Sequence, residues 1–216
     1  AGVLFTVGCN FRCPFCHNPE LVLPGRSAGL SLIEPEGVLE TLRDRRTFLD
    51  GATITGGEPT LHDGLIAFVR EVKRLGLLVK LDTNGSNPEL LNELLEEQFA
   101  DYIAMDIKAS AQSYQRLAGA RVDLAVIERS IGLIREKAPD YEFRTTVAPT
   151  LDEAEIAAIA EWIGGAKRYT LQRFRAPSEK SLVDPAWASR GALSEQELEA
   201  VWMRIRGRFD DGGVRA

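Results

Sequence analysis

Short apolar, β-branched runs alternate along this 216-residue chain with longer segments in which apolar residues return every three or four positions. The runs predict six strands, at residues 3–7, 52–55, 77–81, 102–107, 142–147 and 169–174. The segments between them are typical of helices that bury one face. Repeated strand–helix units indicate parallel strands, and six units are too few to close an eight-stranded barrel. The sequence therefore predicts an α/β fold, a partial (β/α)6 TIM-like barrel, with a doubly wound sheet as the second choice.

Several helix starts are marked by their own residues. Pro35 and Pro88 suit a first helical turn, where the missing N–H costs no hydrogen bond, and Asn87 precedes Pro88 as an N-cap. Ser194 and Glu197 have the spacing of a capping box at the start of a last helix.

Two long stretches show no strong periodicity. They are residues 19–34 and residues 175–192, the second being rich in Pro, Ser and Ala. Long ordered loops more often have a function than not. In parallel α/β folds ligands bind where the strands end, so the residues that follow each strand are the candidate site.

The charge and composition of the chain argue against nucleic acid and membranes as partners. A formal net charge of −6 leaves no broad basic surface for nucleic acid. No apolar run approaches the roughly 20 residues that cross a bilayer, and no basic leader precedes an apolar segment. We expect one domain over residues 1–216, in the cytoplasm, without a membrane partner. The chain begins at Ala1 rather than Met, so we expect native residues before it to be missing.

All three cysteines of the chain, Cys9, Cys13 and Cys16, lie in one C-x-x-x-C-x-x-C loop after the first strand. Three cysteines cannot all pair within the chain, and their spacing is too tight for a structural disulfide. Thiolates this close together can surround one four-iron cluster, with one thiolate on each of three irons. The fourth iron is then free to bind the amino and carboxylate groups of a substrate.

Other interpretations of these residues remain open on spacing alone. Cys13 to His17 matches the C-x-x-C-H of haem attachment, which requires export and leaves Cys9 unused. Cys13 and Cys16 also resemble the dithiol of thioredoxin-like domains, which are far shorter than this chain. Three cysteines and His17 can form a closed zinc site, although the adjacency of Cys16 and His17 would strain it.

Candidate ligand-binding residues follow the second strand. Gly56 and Gly57 allow the backbone to approach a ligand closely, and Glu58 can accept hydrogen bonds from an ammonium group. A plain glycine turn before a helix is the alternative.

Charged residues end the next three strands. Asp82 follows strand three and Asp106 follows strand four, so the two carboxylates can face one cation or a ribose. Lys108 can instead neutralise Asp106. Alternation in strand five groups Glu142 and Arg144 on one face, where Arg144 suits a carboxylate.

The cysteine loop together with Gly56-Gly57-Glu58-Pro59 resembles the radical S-adenosylmethionine (SAM) superfamily. The string CNFRCPFCHNPELV is similar to that of the glycyl-radical-enzyme activases, and most similar to the anaerobic ribonucleoside-triphosphate reductase activating proteins. The resemblance covers essentially the whole chain, through DTNG at Asp82, MDIK at Met105, RTTV at Arg144 and LQRF at Leu171.

This resemblance implies an oxidoreductase with two cofactors, SAM and a 4Fe–4S cluster held by Cys9, Cys13 and Cys16. It implies reductive cleavage of SAM to methionine and a 5′-deoxyadenosyl radical, which removes a hydrogen atom from one glycine of the anaerobic ribonucleotide reductase. A low-potential donor such as flavodoxin or ferredoxin would supply the electron. No catalytic side chain is implied beyond those that hold the cluster and cofactor.

The resemblance also assigns residues to the cofactor. SAM contacts are implied for Gly56, Gly57, Glu58, Asp82, Lys108 and Arg144. Asp82, Thr83 and Asp106 match residues that surround a monovalent cation in the pyruvate formate-lyase activase. Segments 19–34 and 175–192 are expected to form a docking rim for the partner's glycine loop.

The sequence departs from the family pattern in two ways, and alternative functions remain open. The segment that usually precedes the first strand is missing, and the ferredoxin-like insertion of several activases is absent, which favours a single cluster. The alternatives are an activase of the pyruvate formate-lyase type, a radical SAM enzyme that acts on a small molecule, and a non-catalytic zinc or iron–sulfur module.

Overall fold

The computed structural model describes residues 1–177 and 181–215. Its strands form one parallel sheet in the order in which they follow along the chain. They are β1 (Gly2–Thr6), β2 (Gly51–Gly56), β3 (Leu78–Thr83), β4 (Tyr102–Asp106), β5 (Tyr141–Val147), β6 (Arg168–Arg173) and β7 (Asp211–Arg215). Since sequential parallel strands with helical crossovers curve in one sense, the sheet is the expected open, partial barrel.

Helices cover the outer face of this sheet. In the described residues they are α1 (Pro19–Val22), α2 (Pro35–Arg45), α3 (Leu65–Arg74), α4 (Pro88–Glu96), α5 (Tyr114–Ala118), α6 (Leu124–Lys137), α7 (Glu153–Trp162) and α8 (Glu195–Ile205). None of them combines the length and the apolar character that a bilayer crossing requires.

The predicted helix starts are confirmed. Pro35 and Pro88 are the first residues of α2 and α4, and the Asn87 side chain accepts a hydrogen bond from the Leu90 amide. Ser194 and Glu197 form the capping box at the start of α8. Each cap supplies a partner for an amide that the helix itself leaves unpaired.

The apolar core lies between the sheet and the helices. Ile103 and Phe143 project from β4 and β5 to this side, where they join Ile127 of α6 and Ile159 of α7, all fully buried. Burying each such side chain stabilises the fold by about 1.5–3 kcal/mol. The alternate residues of the same strands face the other way, onto an inner face that carries polar and charged groups.

The structure adds to the six predicted strands and to the two predicted loops. The pattern missed β7, which contributes an edge strand with two adjacent glycines, Gly212 and Gly213. Residues 19–34 contain α1 and a 3₁₀ turn at Arg26–Gly29 instead of an unbroken loop. Residues 175–192 contain a 3₁₀ turn at Pro185–Ser189, and residues 178–180 of that stretch lie outside the described residues.

Candidate cluster and cofactor site

One cavity of about 230 Å³ opens at the carboxyl ends of the strands, on the inner face. It gathers most of the residues that the sequence singled out, although they come from four separate parts of the chain. The predicted residues that line it are Cys9, Cys13, Cys16, Gly56, Gly57, Glu58, Asp82, Thr83, Asp106 and Lys108. Arg144 contacts two of these residues from the inner face below them.

The glycine motif at the end of β2 holds the cysteine loop in place. The Gly57 amide donates to the Thr6 carbonyl at 2.8 Å, and the Glu58 amide donates to the Gly8 carbonyl at 2.8 Å. A Cβ atom at Gly57 would lie 1.9 Å from the Gly8 carbonyl oxygen. Gly57 therefore leaves room for the backbone of the cysteine loop. The sequence did not reveal this role.

A second segment supports the cysteine loop from the other side. The Val183 amide donates to the Cys16 carbonyl at 3.1 Å. Trp187 packs on Phe15, with 6.1 Å between the ring centroids, and both rings are buried. The described part of segment 175–192 therefore covers the cysteine loop and limits its contact with water.

The three thiols lie in a buried environment. Burial raises the pKa of Cys13 to about 12, although the nearby Lys108 ammonium opposes the shift. Burial also raises the pKa of Cys9, against a hydrogen bond from the Phe11 amide. Because metal coordination requires the thiolate form, loading of these cysteines releases protons.

His17 lines the same cavity as the three cysteines. Its ring packs against Phe174 with 5.7 Å between the centroids. Within the described ranges, no three side chains of His, Cys, Asp or Glu gather closely enough to hold a single metal ion. The closed zinc site of three cysteines and His17 is accordingly not formed in this structure.

Glu58 is almost fully buried and is already hydrogen-bonded by the protein. Its Oε1 atom accepts from the Thr60 hydroxyl at 2.6 Å, the Thr60 amide at 3.1 Å and the Thr83 hydroxyl at 2.8 Å. Its Oε2 atom accepts from the Asn84 amide at 2.6 Å. Oε2 is thus the oxygen with room for a further donor from a ligand.

Asn84 also reaches the cysteine loop. Its side-chain amide donates to the Asn10 side chain at 2.9 Å and lies 3.9 Å from the Cys9 sulfur. Asn84, directly after β3, therefore contacts both Glu58 and the cysteine loop.

Opposite charges alternate at the ends of β3, β4 and β5. Arg144 donates to Asp106 at 2.9 Å and to Asp82 at 3.3 Å, and Lys108 donates to Asp106 at 3.0 Å. Burial raises the pKa of Asp106, but Arg144 and Lys108 outweigh it and lower the pKa to about 2. The carboxylate is therefore ionised at neutral pH, and the expected neutralisation by Lys108 is present alongside that by Arg144.

Asp82 provides a test of whether this cavity suits a ligand. The residue lines the cavity, and its buried Oδ1 atom accepts no hydrogen bond from the described residues, although the Lys80 ammonium lies 3.3 Å from it as an ion-pair partner. A carboxylate oxygen can accept more than one donor, so a ribose hydroxyl or an ammonium group of a cofactor would add the hydrogen bond that the ion pair with Lys80 does not supply. Three thiols beside such an atom fit a thiolate-bound cluster with an organic ligand next to it.

The alternation of charge continues down the inner face through two residues that the sequence did not single out together. The Lys80 Nζ atom lies 3.3 Å from Asp82 Oδ1 and 3.8 Å from Glu142 Oε1. Glu142 is 3% exposed. Period-two alternation signalled which residues of one strand share a face, but the pairing of Lys80 with Glu142 depends on the order of the strands.

The model of the Radical SAM superfamily matches residues 3–163. The chain belongs to this superfamily. It is therefore an enzyme whose cofactors are a 4Fe–4S cluster and SAM. Within the superfamily, a protein of Methanocaldococcus jannaschii that is named as a glycyl-radical enzyme activating enzyme is 34% identical over 100% of this chain and 88% of its own length. The chain accordingly belongs with the glycyl-radical enzyme activating enzymes.

Solved structures support the fold. Streptococcus suis SuiB bound to SAM superposes with a TM-score of 0.73 over 99% of this chain and 50% of its own, at 14% identity. A domain of a pyruvate-formate lyase-activating enzyme from Bacteroides vulgatus superposes with a TM-score of 0.60 over 77% of this chain and 99% of its own, at 18% identity. The chain thus spans about half the length of SuiB.

Proposed function

We propose that this enzyme activates an anaerobic ribonucleoside-triphosphate reductase by generating a glycyl radical on it. The observation that carries the proposal is the meeting of the chain's only three cysteines with the Asp82 carboxylate in one cavity. The 34% identity to a named activating enzyme over the whole chain supports the class of partner. The resemblance of the cysteine string to the reductase activating proteins supports the particular partner.

Cys9, Cys13 and Cys16 would hold the cluster, one on each of three irons. The cluster and SAM, when bound, supply one-electron cleavage to methionine and a 5′-deoxyadenosyl radical. The protein's part is to bind, orient and exclude water. Phe15 and Trp187, two buried rings packed against each other at a tilt of 44°, exclude water on one side of the cysteine loop.

The remaining site residues would bind SAM. We assign the ribose to Asp82, the methionine carboxylate to Arg144 and Lys108, and the methionine amino group to the backbone of Gly56 and Gly57 with Glu58 Oε2. Each of these atoms lines or borders the same cavity. Arg144 is suited to a carboxylate because its planar fork forms two parallel hydrogen bonds.

A monovalent cation at Asp82, Thr83 and Asp106 remains part of the proposal. The Arg144 guanidinium lies between the two carboxylates, and the Thr83 hydroxyl donates to Glu58. A cation at this place would therefore replace Arg144 as the partner of one carboxylate. SAM affinity measured in potassium and in tetramethylammonium chloride tests this point: a cation site predicts tighter binding in potassium.

We further propose a cytoplasmic location, a flavodoxin or ferredoxin as the electron donor, and docking of the partner's glycine loop between segments 19–34 and 175–192. Both segments adjoin the cysteine loop: the Gly8 amide donates to the Leu21 carbonyl at 2.7 Å, and Val183 bonds to Cys16. Deletion within either segment is expected to lower the glycyl-radical yield on the partner.

The central experiment is anaerobic reconstitution with iron and sulfide, followed by SAM, a reductant and the reductase encoded in the same genome. We expect 5′-deoxyadenosine by chromatography and a glycyl-radical signal on the reductase by electron paramagnetic resonance. A signal on a pyruvate formate-lyase but not on the reductase would favour the other activase class. Release of 5′-deoxyadenosine without a protein radical on either would favour a small-molecule substrate, and no release would leave a binding module.

A further inference from the structure

A second cavity, of about 500 Å³, opens on the inner face nearer the amino ends of the strands. We call it the lower cavity, and we call the cavity that the three cysteines line the cluster cavity. Its charged walls come from β3, β5, β6 and β7, and the charged residues that line it are Lys80, Glu142, Arg168, Asp211 and Arg215. Three of these are cationic and two are anionic, which gives the walls a net charge of about one positive unit. Nothing in the cluster chemistry requires this cavity.

The lower cavity continues the cluster cavity along the same strands. Lys80 precedes Asp82 by two residues in β3, and Glu142 precedes Arg144 by two residues in β5. Two residues along a strand span about 7 Å and return to the same face. A ligand that occupied both cavities would therefore be elongated and would follow the strand direction.

Glu142 is built to meet a hydrogen-bond donor in this cavity. The residue is 3% exposed, and its Oε2 atom accepts from the Thr170 hydroxyl at 3.0 Å. Lys80 and Arg215 approach its oxygens only to 3.8 and 3.7 Å, beyond hydrogen-bond distance. The Oε1 atom thus has capacity for an N–H group, while Arg215, more than half exposed, can meet a carboxylate.

A glycine keeps the cavity open. Gly213 pairs with Thr170 across the β6–β7 ladder, and a Cβ atom built on it meets no heavy atom within 4 Å. Its neighbour Gly212 points to the other side, where a Cβ would lie 2.0 Å from the Tyr169 carbonyl oxygen. A strand that presents bare backbone on its inner face allows another main chain to approach closely.

We propose that this lower cavity binds an extended segment of the protein substrate that carries an acidic side chain near the target glycine. Amide N–H groups of the segment meet Glu142, its carboxylate meets Arg215, and its backbone passes over Gly213. The mixed donors and acceptors of the walls match a polypeptide better than a simple anion, which would meet the Glu142 charge. The inference rests on the proposed activase function and adds to it a site for recognising the partner.

The test is a side chain that fills the cavity. Gly213→Ile places a branched side chain in open space at a position without positive φ, so the fold is retained. Gly132→Ile, on the exposed face of α6 where a Cβ also meets nothing within 4 Å, is the matched control. The initial rate of glycyl-radical formation is measured against reductase concentration, and SAM cleavage is measured without the reductase.

We expect Gly213→Ile to raise the KM for the reductase by about tenfold or more, as the loss of a central interface contact does. SAM cleavage without the reductase should stay at the wild-type level, and Gly132→Ile should match wild type in both assays. As a second variant that alters only an exposed side chain, Arg215→Glu should raise the same KM, and more so at low salt.

An unchanged KM in both variants overturns the inference. So does an equal loss of SAM cleavage without the reductase, since the cavity would then belong to the cofactor site. A wild-type enzyme that forms no glycyl radical on the reductase overturns the proposed function and this inference together. Wild-type radical formation with an unchanged KM in both variants overturns the inference alone.

Discussion

Glu58 shows how one side chain can join three parts of a site. Its carboxylate accepts hydrogen bonds from Thr60, Thr83 and Asn84, and its own amide donates to Gly8. Burial raises its pKa, against hydrogen bonds that favour the charged form. The residue therefore fixes the relative positions of the cysteine loop and the end of β3.

Glu58→Gln is expected to destabilise the protein. The amide NH₂ that replaces one oxygen faces a backbone or hydroxyl donor, so at least one buried donor loses its acceptor at a cost of about 1–3 kcal/mol. Urea denaturation of the cluster-free protein measures this loss. Glu199→Gln on the exposed side of α8 is the control and should leave the midpoint unchanged. Equal midpoints for both variants would contradict the role of Glu58.

Asp106 predicts a pH dependence of stability. Its pKa is about 2 in the folded protein, below its ordinary value of 3.8, because Arg144 and Lys108 outweigh the effect of burial. A depressed carboxyl pKa stabilises the folded state above the unfolded value, and the contribution disappears as the pH falls through the folded value. The stabilisation by Asp106 should therefore be present at neutral pH and be lost in acid.

The measurement is the difference in free energy of unfolding between wild type and Asp106→Asn in the cluster-free protein. This difference should fall by about 2 kcal/mol between about pH 5 and pH 2, the equivalent of the shift in pKa. The Asn variant removes the titration but retains the size of the side chain. A difference that stays constant over this range would show that Asp106 is not held ionised by its two cations.

At the scale of elements, the contact between the ends of β1 and β2 determines where the cysteine loop lies. Gly57 sits against the Gly8 carbonyl, and a methyl group there would lie 1.9 Å from that oxygen. Because the contact is with backbone on both sides, it cannot be relieved by a change of rotamer. The loop that carries Cys9 would have to shift.

Gly57→Ala should therefore lower both stability and cluster content. We expect a loss of about 1–3 kcal/mol in the free energy of unfolding, the usual cost of overpacking. Iron per chain after anaerobic reconstitution should fall as well. Gly132→Ala, on the open face of α6, should instead raise stability by about 0.5–1 kcal/mol. Full iron content in Gly57→Ala would show that the loop tolerates the shift.

The elements that the sequence predicted well are those whose signal is local. β5 alternates its faces as expected, with Arg144 toward the site and Phe143 in the core. The helix caps at Asn87 and Ser194 each depend on a residue three positions away. By contrast, β7 carries a single apolar residue, Val214, beside two glycines, and its pairing with β6 is decided by tertiary contact.

In the site too, features with a local sequence signal were predicted and contacts between distant segments were not. The cysteine spacing and the glycine motif predicted which residues line the cluster cavity, since parallel strand ends meet at one edge. The sequence did not indicate that Trp187 packs against Phe15, because nothing in a Pro- and Ala-rich stretch specifies its partner. The link between Lys80 and Glu142 was equally hidden, since it joins residues that are distant in the chain.

At the scale of the whole molecule, six charged groups of alternating sign cross the inner face from the lower cavity to the cluster site. In order they are Glu142, Lys80, Asp82, Arg144, Asp106 and Lys108. Three carboxylates and three cations make the row neutral overall. A change at one end therefore alters the partners available at the other, and Lys80 joins the two ends because it lies between Glu142 and Asp82, a proposed SAM contact.

Lys80→Met should weaken SAM binding although Lys80 does not line the cluster cavity. Without it, Asp82 and Glu142 lose their shared cation and the row carries one excess negative charge, so Arg144 is held more firmly by Asp82 and less available to the methionine carboxylate. We expect the Kd for SAM of the cluster-loaded enzyme to rise by about fivefold, the effect of about 1 kcal/mol.

Lys80→Arg keeps the charge and should restore the affinity. Lys137→Met, a partly exposed lysine paired with Glu96 on the outer helices, is the matched control and should leave the Kd unchanged. Equal SAM affinity in Lys80→Met and wild type would show that the lower charges are independent of the cofactor site.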